Sequence, residues 1–247
     1  MSLSDINIRE KEFHNQLQST DKGRFENIFY KAIYNLSNDY YSYLKKNCEN
    51  KNVLDYGCGV GNTIKKISEY KPKKITGIDI SEVSIEKARK ASKNLNTEIE
   101  YRVDNCENSS LESESYDIIY GSGILHHLNM EKSISEIHRL LRKNGKMVFL
   151  EPLGTNPLIN IYRKLTPRSR SKDEHPLTKK DFDFLKKKYS EVKVKYYGLF
   201  TLVFFPFYKS PQKSKIFNFL AYIDQMFFKI KFIRPLAWSV MIISKKN

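Results

Sequence analysis

Val53-Leu54-Asp55-Tyr56-Gly57-Cys58-Gly59-Val60-Gly61 reads as a buried strand that runs into a glycine turn. It opens with apolar residues able to fill a sheet interior, passes an acid, and ends in three glycines at alternate positions. A helical pattern follows, with Ile64 and Ile67 on one face. Glycines at such a junction let the backbone turn sharply and come close to a ligand, because no Cβ stands in the way. Asp55 narrows the choice of ligand. A pyrophosphate wants bare backbone N–H groups at the helix start, and a carboxylate beside it repels phosphate. A ligand with an ammonium group and no phosphate favours that carboxylate.

Further segments extend the pattern. Thr76-Gly77-Ile78-Asp79-Ile80-Ser81 lies one helix on, with Asp79 closing a second apolar run at about the 20-residue spacing where an acid meets ribose hydroxyls. Val103-Asp104-Asn105-Cys106 closes a third strand, and Tyr116–Ser122 reads as a fourth. The segment Arg139–Pro152 reads as a helix end, a glycine turn and a fifth strand. Over about residues 50–152 this ordered set resembles the class I S-adenosylmethionine (SAM)-dependent methyltransferases, whose signature is an acid followed by Gly-x-Gly-x-Gly.

The resemblance implies an α/β chain with a Rossmann-like seven-stranded sheet, mostly parallel with the last strand antiparallel, helices on both faces and an added cap. It implies SAM as cofactor and S-adenosylhomocysteine (SAH) as product. Asp55, Tyr56, Gly57, Cys58, Gly59 and Gly61 would hold the methionine end, Asp79 and Ile80 the ribose, and Asp104, Asn105 and Cys106 the adenine side, with Gly121 completing the contacts. N-terminal helices of this family often fold over the cofactor, so His14 in Glu12-Phe13-His14 is a candidate for the acceptor pocket.

One domain is expected over 1–247: a helical cap at 1–50, the SAM-binding core at 51–152, and insertions with the final strands at 153–247. Cys48, Cys58 and Cys106 lie far apart without Cys-x-x-Cys, which fits a reducing cytosol and argues against disulfides or a metal site. Met1-Ser2-Leu3-Ser4-Asp5 has no signal pattern, so the reading is cytoplasmic. Charge is uneven: residues 160–247 carry 20 Lys and Arg against 6 Asp and Glu, while the rest is near neutral. Such a region suits an anionic partner or is simply a solvated surface.

Phe25, Ile28, Phe29, Ala32, Ile33 and Leu36 recur at helical spacing, as do Tyr40, Tyr43 and Leu44. The helix from about Glu131 to Arg142 is expected to stop at Asn144-Gly145. Thr178 and Asp181 have capping-box spacing, and Val192–Tyr196 alternates like a strand. Ile216, Phe219, Leu220, Ile223, Met226, Phe227 and Ile230 form an apolar stripe that reads as a helix packed on the sheet or roofing the pocket. A membrane contact through 200–235 is the alternative.

SAM carries an activated methyl group, so the protein must align the reactants and exclude water; a base is needed only for a nucleophile that keeps its proton, as a hydroxyl does. His126, favoured over its neighbour in Leu125-His126-His127-Leu128, and His175 in the long insertion are the candidate bases, with Glu151 a third. Glu151, Tyr162, Arg163, Arg168 and Arg170 are candidates for acceptor binding, the arginines for a phosphate or carboxylate. Similarity of 151–163 and 173–177 to bacterial small-molecule methyltransferases suggests an oxygen nucleophile in a surface-glycan, capsule or natural-product pathway. Nucleic acid is disfavoured, because Gly121-Ser122-Gly123-Ile124 stands where base-amino methyltransferases carry Asn/Asp-Pro-Pro-aromatic. A lipid-linked acceptor and a non-catalytic SAM-binding role are the remaining alternatives.

Overall fold

The computed structural model describes residues 3–19, 28–166, 171–208 and 210–247. Seven strands form one sheet: β1 (Asn52–Tyr56), β2 (Lys74–Asp79), β3 (Ile99–Val103), β4 (Tyr116–Ser122), β5 (Leu141–Pro152), β6 (Glu191–Tyr197) and β7 (Ser239–Lys245). Their order is β3-β2-β1-β4-β5-β7-β6. Only β7 runs antiparallel to its neighbours, as the resemblance implied. The strand order reverses between β1 and β4, which opens a crevice at their carboxyl ends.

The helices are α1 (Asp5–Ser19), α2 (Tyr34–Asn47), α3 (Asn62–Ser68), α4 (Glu82–Ala91), α5 (Met130–Leu140), α6 (Pro157–Leu165), α7 (Lys179–Lys188), the single turn α8 (Phe200–Val203) and α9 (Lys215–Phe227). Strand alternation separates two cores. Leu54, Tyr56, Ile119 and Phe149 pack with Ile134 and Ile137 of α5 on one face. Val53, Ile75, Ile118 and Val148 pack with residues of α2, α3 and α4 on the other. Phe25 lies outside the described residues.

Two local expectations need correction. Helix α5 stops at Leu140 rather than at Asn144-Gly145, because Leu141 already pairs with Tyr116 of β4. Asn144, at φ +66°, and Gly145 instead make a turn held by Lys246: the Asn144 N–H donates to the Lys246 carbonyl and the Lys246 N–H to that of Gly145, both at 2.9 Å. The α9 stripe does not pack on the sheet either. Ile216, Phe219, Met226 and Ile230 face solvent, while Phe217, Asp224 and Phe228 turn inward. Asp224 explains the inversion: its carboxylate accepts from the Leu199 and Phe200 N–H groups at 3.1 and 2.7 Å and from the Thr201 hydroxyl at 2.7 Å, tying α9 to the start of α8 through its polar side. The capping box at Thr178 and Asp181 is present as expected.

Candidate active site

Between β1 and α3 the chain turns through Gly57 and Gly59, at φ +76° and +52°. The Gly57 and Cys58 N–H groups both donate to the Ile78 carbonyl, which holds the turn against the end of β2. Asp79 completes the clasp: one carboxylate oxygen accepts from the Gly59 N–H at 2.8 Å and the other from the Ser81 N–H at 2.9 Å. Ser81 in turn caps α4. Beyond Gly59, a cavity of about 390 Å³ opens, lined also by Gly57, Asp79, Ile80, Asn105 and Cys106.

Helix α1 roofs this cavity, contributing Asn7, Glu10, His14, Leu17 and Gln18. Surface contacts pin the roof. Arg9 pairs bidentately with Asp173 at 2.8 and 2.9 Å, and Lys11 pairs with Glu82 of α4. Beneath the roof, after β4, the far wall is Ser122, Gly123, Ile124, His127 and Leu128. Buried Glu10 brings a carboxylate oxygen to 3.1 Å from His127 Nδ1 and 3.7 Å from His14 Nε2. Burial alone would raise the Glu10 pKa, but His127, Ser171 and His14 outweigh it and hold the carboxyl below its ordinary value. Glu10, His14 and His127 each place one donor atom within 4.8 Å of the others, and so do His126, His127 and Glu174. Either set has the nitrogen and oxygen donors that suit a transition-metal ion, where the sequence reading expected no metal.

A second cleft, between α1, α5 and α7, shares His127 and Leu128 with the cofactor-side cavity. It holds Lys132, Lys179, Lys180 and Lys187, but also Glu107, Glu131, Asp173, Asp181 and Asp183.

Several sequence-predicted residues lie off the cavity. Strand alternation turns Tyr56 into the α5-side core, where its hydroxyl donates to the Cys106 carbonyl. Both Asp104 oxygens stay within their own loop, accepting from Asn105 N–H at 2.8 Å and from the Ser110 N–H and hydroxyl at 2.9 and 2.7 Å. Cys58 is buried, and burial pushes its thiol pKa up. Gly61 serves packing: a Cβ there would fall 2.9 Å from the Tyr101 hydroxyl and 3.1 Å from Ala88 Cβ. Gly121 sits against Phe149, one residue short of the wall.

His126 lines neither cavity, although its ring lies against that of His127 with 4.2 Å between centroids. Its Nδ1 lies 2.7 Å from Glu151, whose other oxygen accepts from the Ile124 and Leu125 N–H groups at 3.0 and 2.8 Å. Glu151, fully buried, thus shapes the loop that presents His127. His175 is exposed and lines the second cleft. Tyr162 and Arg163 line neither cavity, and the Arg163 guanidinium donates to the Leu153 carbonyl at 2.8 Å and to Asn160 at 3.0 Å. Arg168 and Arg170 lie outside the described residues. Sequence reading missed Glu10 and passed over His127. The one signal available was the His126-His127 pair itself.

Asp55 sits just below the glycine turn, 3% exposed. Burial drives its carboxyl pKa well above the ordinary range, and Asp79 adds in the same direction. Its Oδ2 and the hydroxyl of its register partner Tyr120 are both buried, and the hydroxyl lowers the carboxyl pKa by less than burial raises it. A cationic group at the turn would pair with the carboxylate. An acid whose folded pKa is raised favours folding below its unfolded pKa, and that advantage is lost as pH rises through the folded value. Asp55→Asn should therefore stabilise the ligand-free fold at neutral pH by about 1 kcal/mol, or roughly 2–4 °C in Tm. The same change should weaken SAH binding, because the amide brings no charge to an ammonium group. Thermal melts with and without SAH read both signs.

Residues 54–149 match a methyltransferase-domain family. Among curated proteins, the chain is 28% identical over 111 residues to a sterol 4-C-methyltransferase of Caenorhabditis elegans, covering 44% of this chain and 33% of that protein. It is 28% identical over 153 residues to a ubiquinone biosynthesis O-methyltransferase of Bordetella avium, covering 58% and 63%. The chain thus spans less than two thirds of the length of these relatives. Of solved structures, geranyl diphosphate C-methyltransferase from Streptomyces coelicolor A3(2), in complex with Mg2+, geranyl diphosphate and SAH, superposes over 100% of both chains at TM-score 0.68 and 10% identity. Phosphoethanolamine N-methyltransferase 2 of Haemonchus contortus, in complex with SAM, matches 100% of this chain and 61% of that one at TM-score 0.67 and 15% identity. These likenesses carry the fold. The glycine turn, the paired acids and the match to a methyltransferase domain thus fall in one place, within residues 54–149.

Proposed function

We propose that the chain transfers a methyl group from SAM, by in-line displacement, to a small acceptor with an oxygen nucleophile. When bound, SAM supplies a methyl carbon already activated by the sulfonium. Gly57 and Gly59 would receive the methionine end above Asp55, Asp79 the ribose, and Asn105 with Cys106 the adenine side. The observation that carries the reading is His127, which lies on the wall common to both cavities with the Glu10 carboxylate 3.1 Å from its Nδ1. An acceptor hydroxyl entering from the second cleft would give its proton to that imidazole as the carbon–oxygen bond forms. Glu10 stabilises the imidazolium produced, and α1 keeps water from the reacting atoms.

The finer identity of the acceptor is a surface-polysaccharide, capsule or natural-product intermediate carrying phosphate. What supports an anionic acceptor is the basic surplus of residues 160–247; the second cleft, with acids and lysines in near balance, does not add to it. A lipid-linked acceptor met at a membrane is a second reading, favoured by the outward apolar face of α9. The test is incubation with SAM labelled in its methyl group and a panel of sugars and phenols, each with and without phosphate. Label appearing in an O-methyl product supports the reading. Label passing to none of these hydroxyls, but to simple amines offered beside them, overturns it.

A further inference from the structure

The insertions of residues 153–238 leave the carboxyl end of β5 and the carboxyl end of β6 and return at the start of β7, all at the end of the sheet that carries the cavity. They expose an unusual amount of apolar surface. On α9, Ile216, Phe219 and Met226 share one helical face and point to solvent, and Ile230 in the turn that follows is exposed too. On α6, Leu158, Ile161 and Leu165 do the same at i, i+3 and i+7, with Leu165 75% exposed. In the turns of the same insertions Phe207 is 70% and Phe232 81% exposed. The elements are stitched together: Thr155 and Asn156, at the start of α6, donate to the carbonyls of Pro235 and Leu236 at 2.7 and 2.5 Å. Phe200 of α8 packs edge-on against Phe227 of α9 at 5.0 Å.

Single exposed hydrophobics are ordinary, but exposed apolar faces on several linked elements mark an interaction surface. Charge chooses the partner. From residue 192 to the end of the chain the only acidic side chain is Asp224, and it is buried. Around the apolar face stand exposed Lys213, Lys215, Lys229 and Lys231. No acid faces outward on this segment among the described residues. Aromatic and aliphatic side chains ringed by cations alone match an anionic bilayer, whose acyl boundary accepts the former and whose headgroups attract the latter. Among the described residues no helix is long and apolar enough to cross a membrane.

We propose that α6, α9 and the turns at Phe207 and Phe232 form a docking face that lies on an anionic lipid surface, with the cavity end of the sheet turned toward the bilayer. This inference stands whether or not the transfer reaction proposed above is correct, because its readout is adsorption and not turnover.

The test is co-sedimentation of the full chain with phosphatidylcholine vesicles prepared with and without phosphatidylglycerol. The expected result is pelleting with the anionic vesicles only, reduced by added salt. Phe219→Glu with Phe232→Glu should weaken it at least about tenfold, while the melting temperature and SAH binding stay unchanged, since neither side chain lines the cavity. Absence of pelleting at low salt, or equal pelleting by the double variant, would overturn the proposal. So would a lipid-free dimer that the double variant abolishes, which would assign the face to a second copy of the chain.

Discussion

Alanine at Gly57 should destabilise the fold severely, while alanine at Gly59, two residues away, should chiefly remove the cofactor. Both glycines sit at positive φ, where a side chain costs about 1 kcal/mol or more. Their surroundings differ. A Cβ on Gly57 would lie 2.5 Å from Ile124 Cγ1 and 2.6 Å from Ile124 Cδ1, so the loop after β4 must shift. Overpacking of that kind adds about 1–3 kcal/mol. The sum, about 2–4 kcal/mol, corresponds to a fall in Tm of roughly 5–15 °C. A Cβ on Gly59 meets no atom within 4 Å. It would project into the open cavity instead, so stability should change by only about 1 kcal/mol while SAH affinity falls at least about tenfold. Melting curves and SAH titration of the two variants separate the roles; equal loss of both properties in both variants would contradict this division.

His127→Ala should lower methyl transfer to a hydroxyl acceptor by about 10²–10⁴-fold, the usual contribution of a positioned general base. The adjacent residue is the control. His126 is tied to Glu151 and lines neither cavity, so His126→Ala should act mainly on stability through the loop that Glu151 holds. Glu10→Gln keeps the shape of the roof but removes the charge facing His127, and should give a smaller loss in turnover. SAH affinity should be kept in His127→Ala, because the imidazole is assigned to the acceptor and not to the cofactor. Turnover retained in His127→Ala and lost in His126→Ala would reverse the assignment.

The core of the site was legible because its chemistry lies in short contiguous runs. Asp55 and the alternate glycines sit within seven residues, and Asp79 closes the next strand at a spacing fixed by one βα unit. The hydrogen bond from the Gly59 N–H to Asp79 is the physical link behind that spacing. The acceptor side was less legible for a different reason. Glu10 meets His127 across more than a hundred residues of chain, and neither carries a local pattern that announces the other. Sequence could name the histidine pair but not which member faces the cavity, since that depends on the phase of a three-residue turn and on the buried Glu151 behind it. Tyr56 and Asp104 show the converse. Both stand inside recognisable motifs, yet strand alternation and a tight loop use their side chains for structure. For α9, periodicity revealed a stripe but not the side it would face; the buried Asp224 decides that.

The measurement that bears most directly on the account is calorimetric titration of SAH into the wild-type protein, beside Gly59→Ala. The account predicts a single site filled in the micromolar range, with binding sharply weakened in the variant although its fold persists. A folded wild type that takes up no SAH, or a Gly59→Ala protein that binds as well as the wild type, would contradict it.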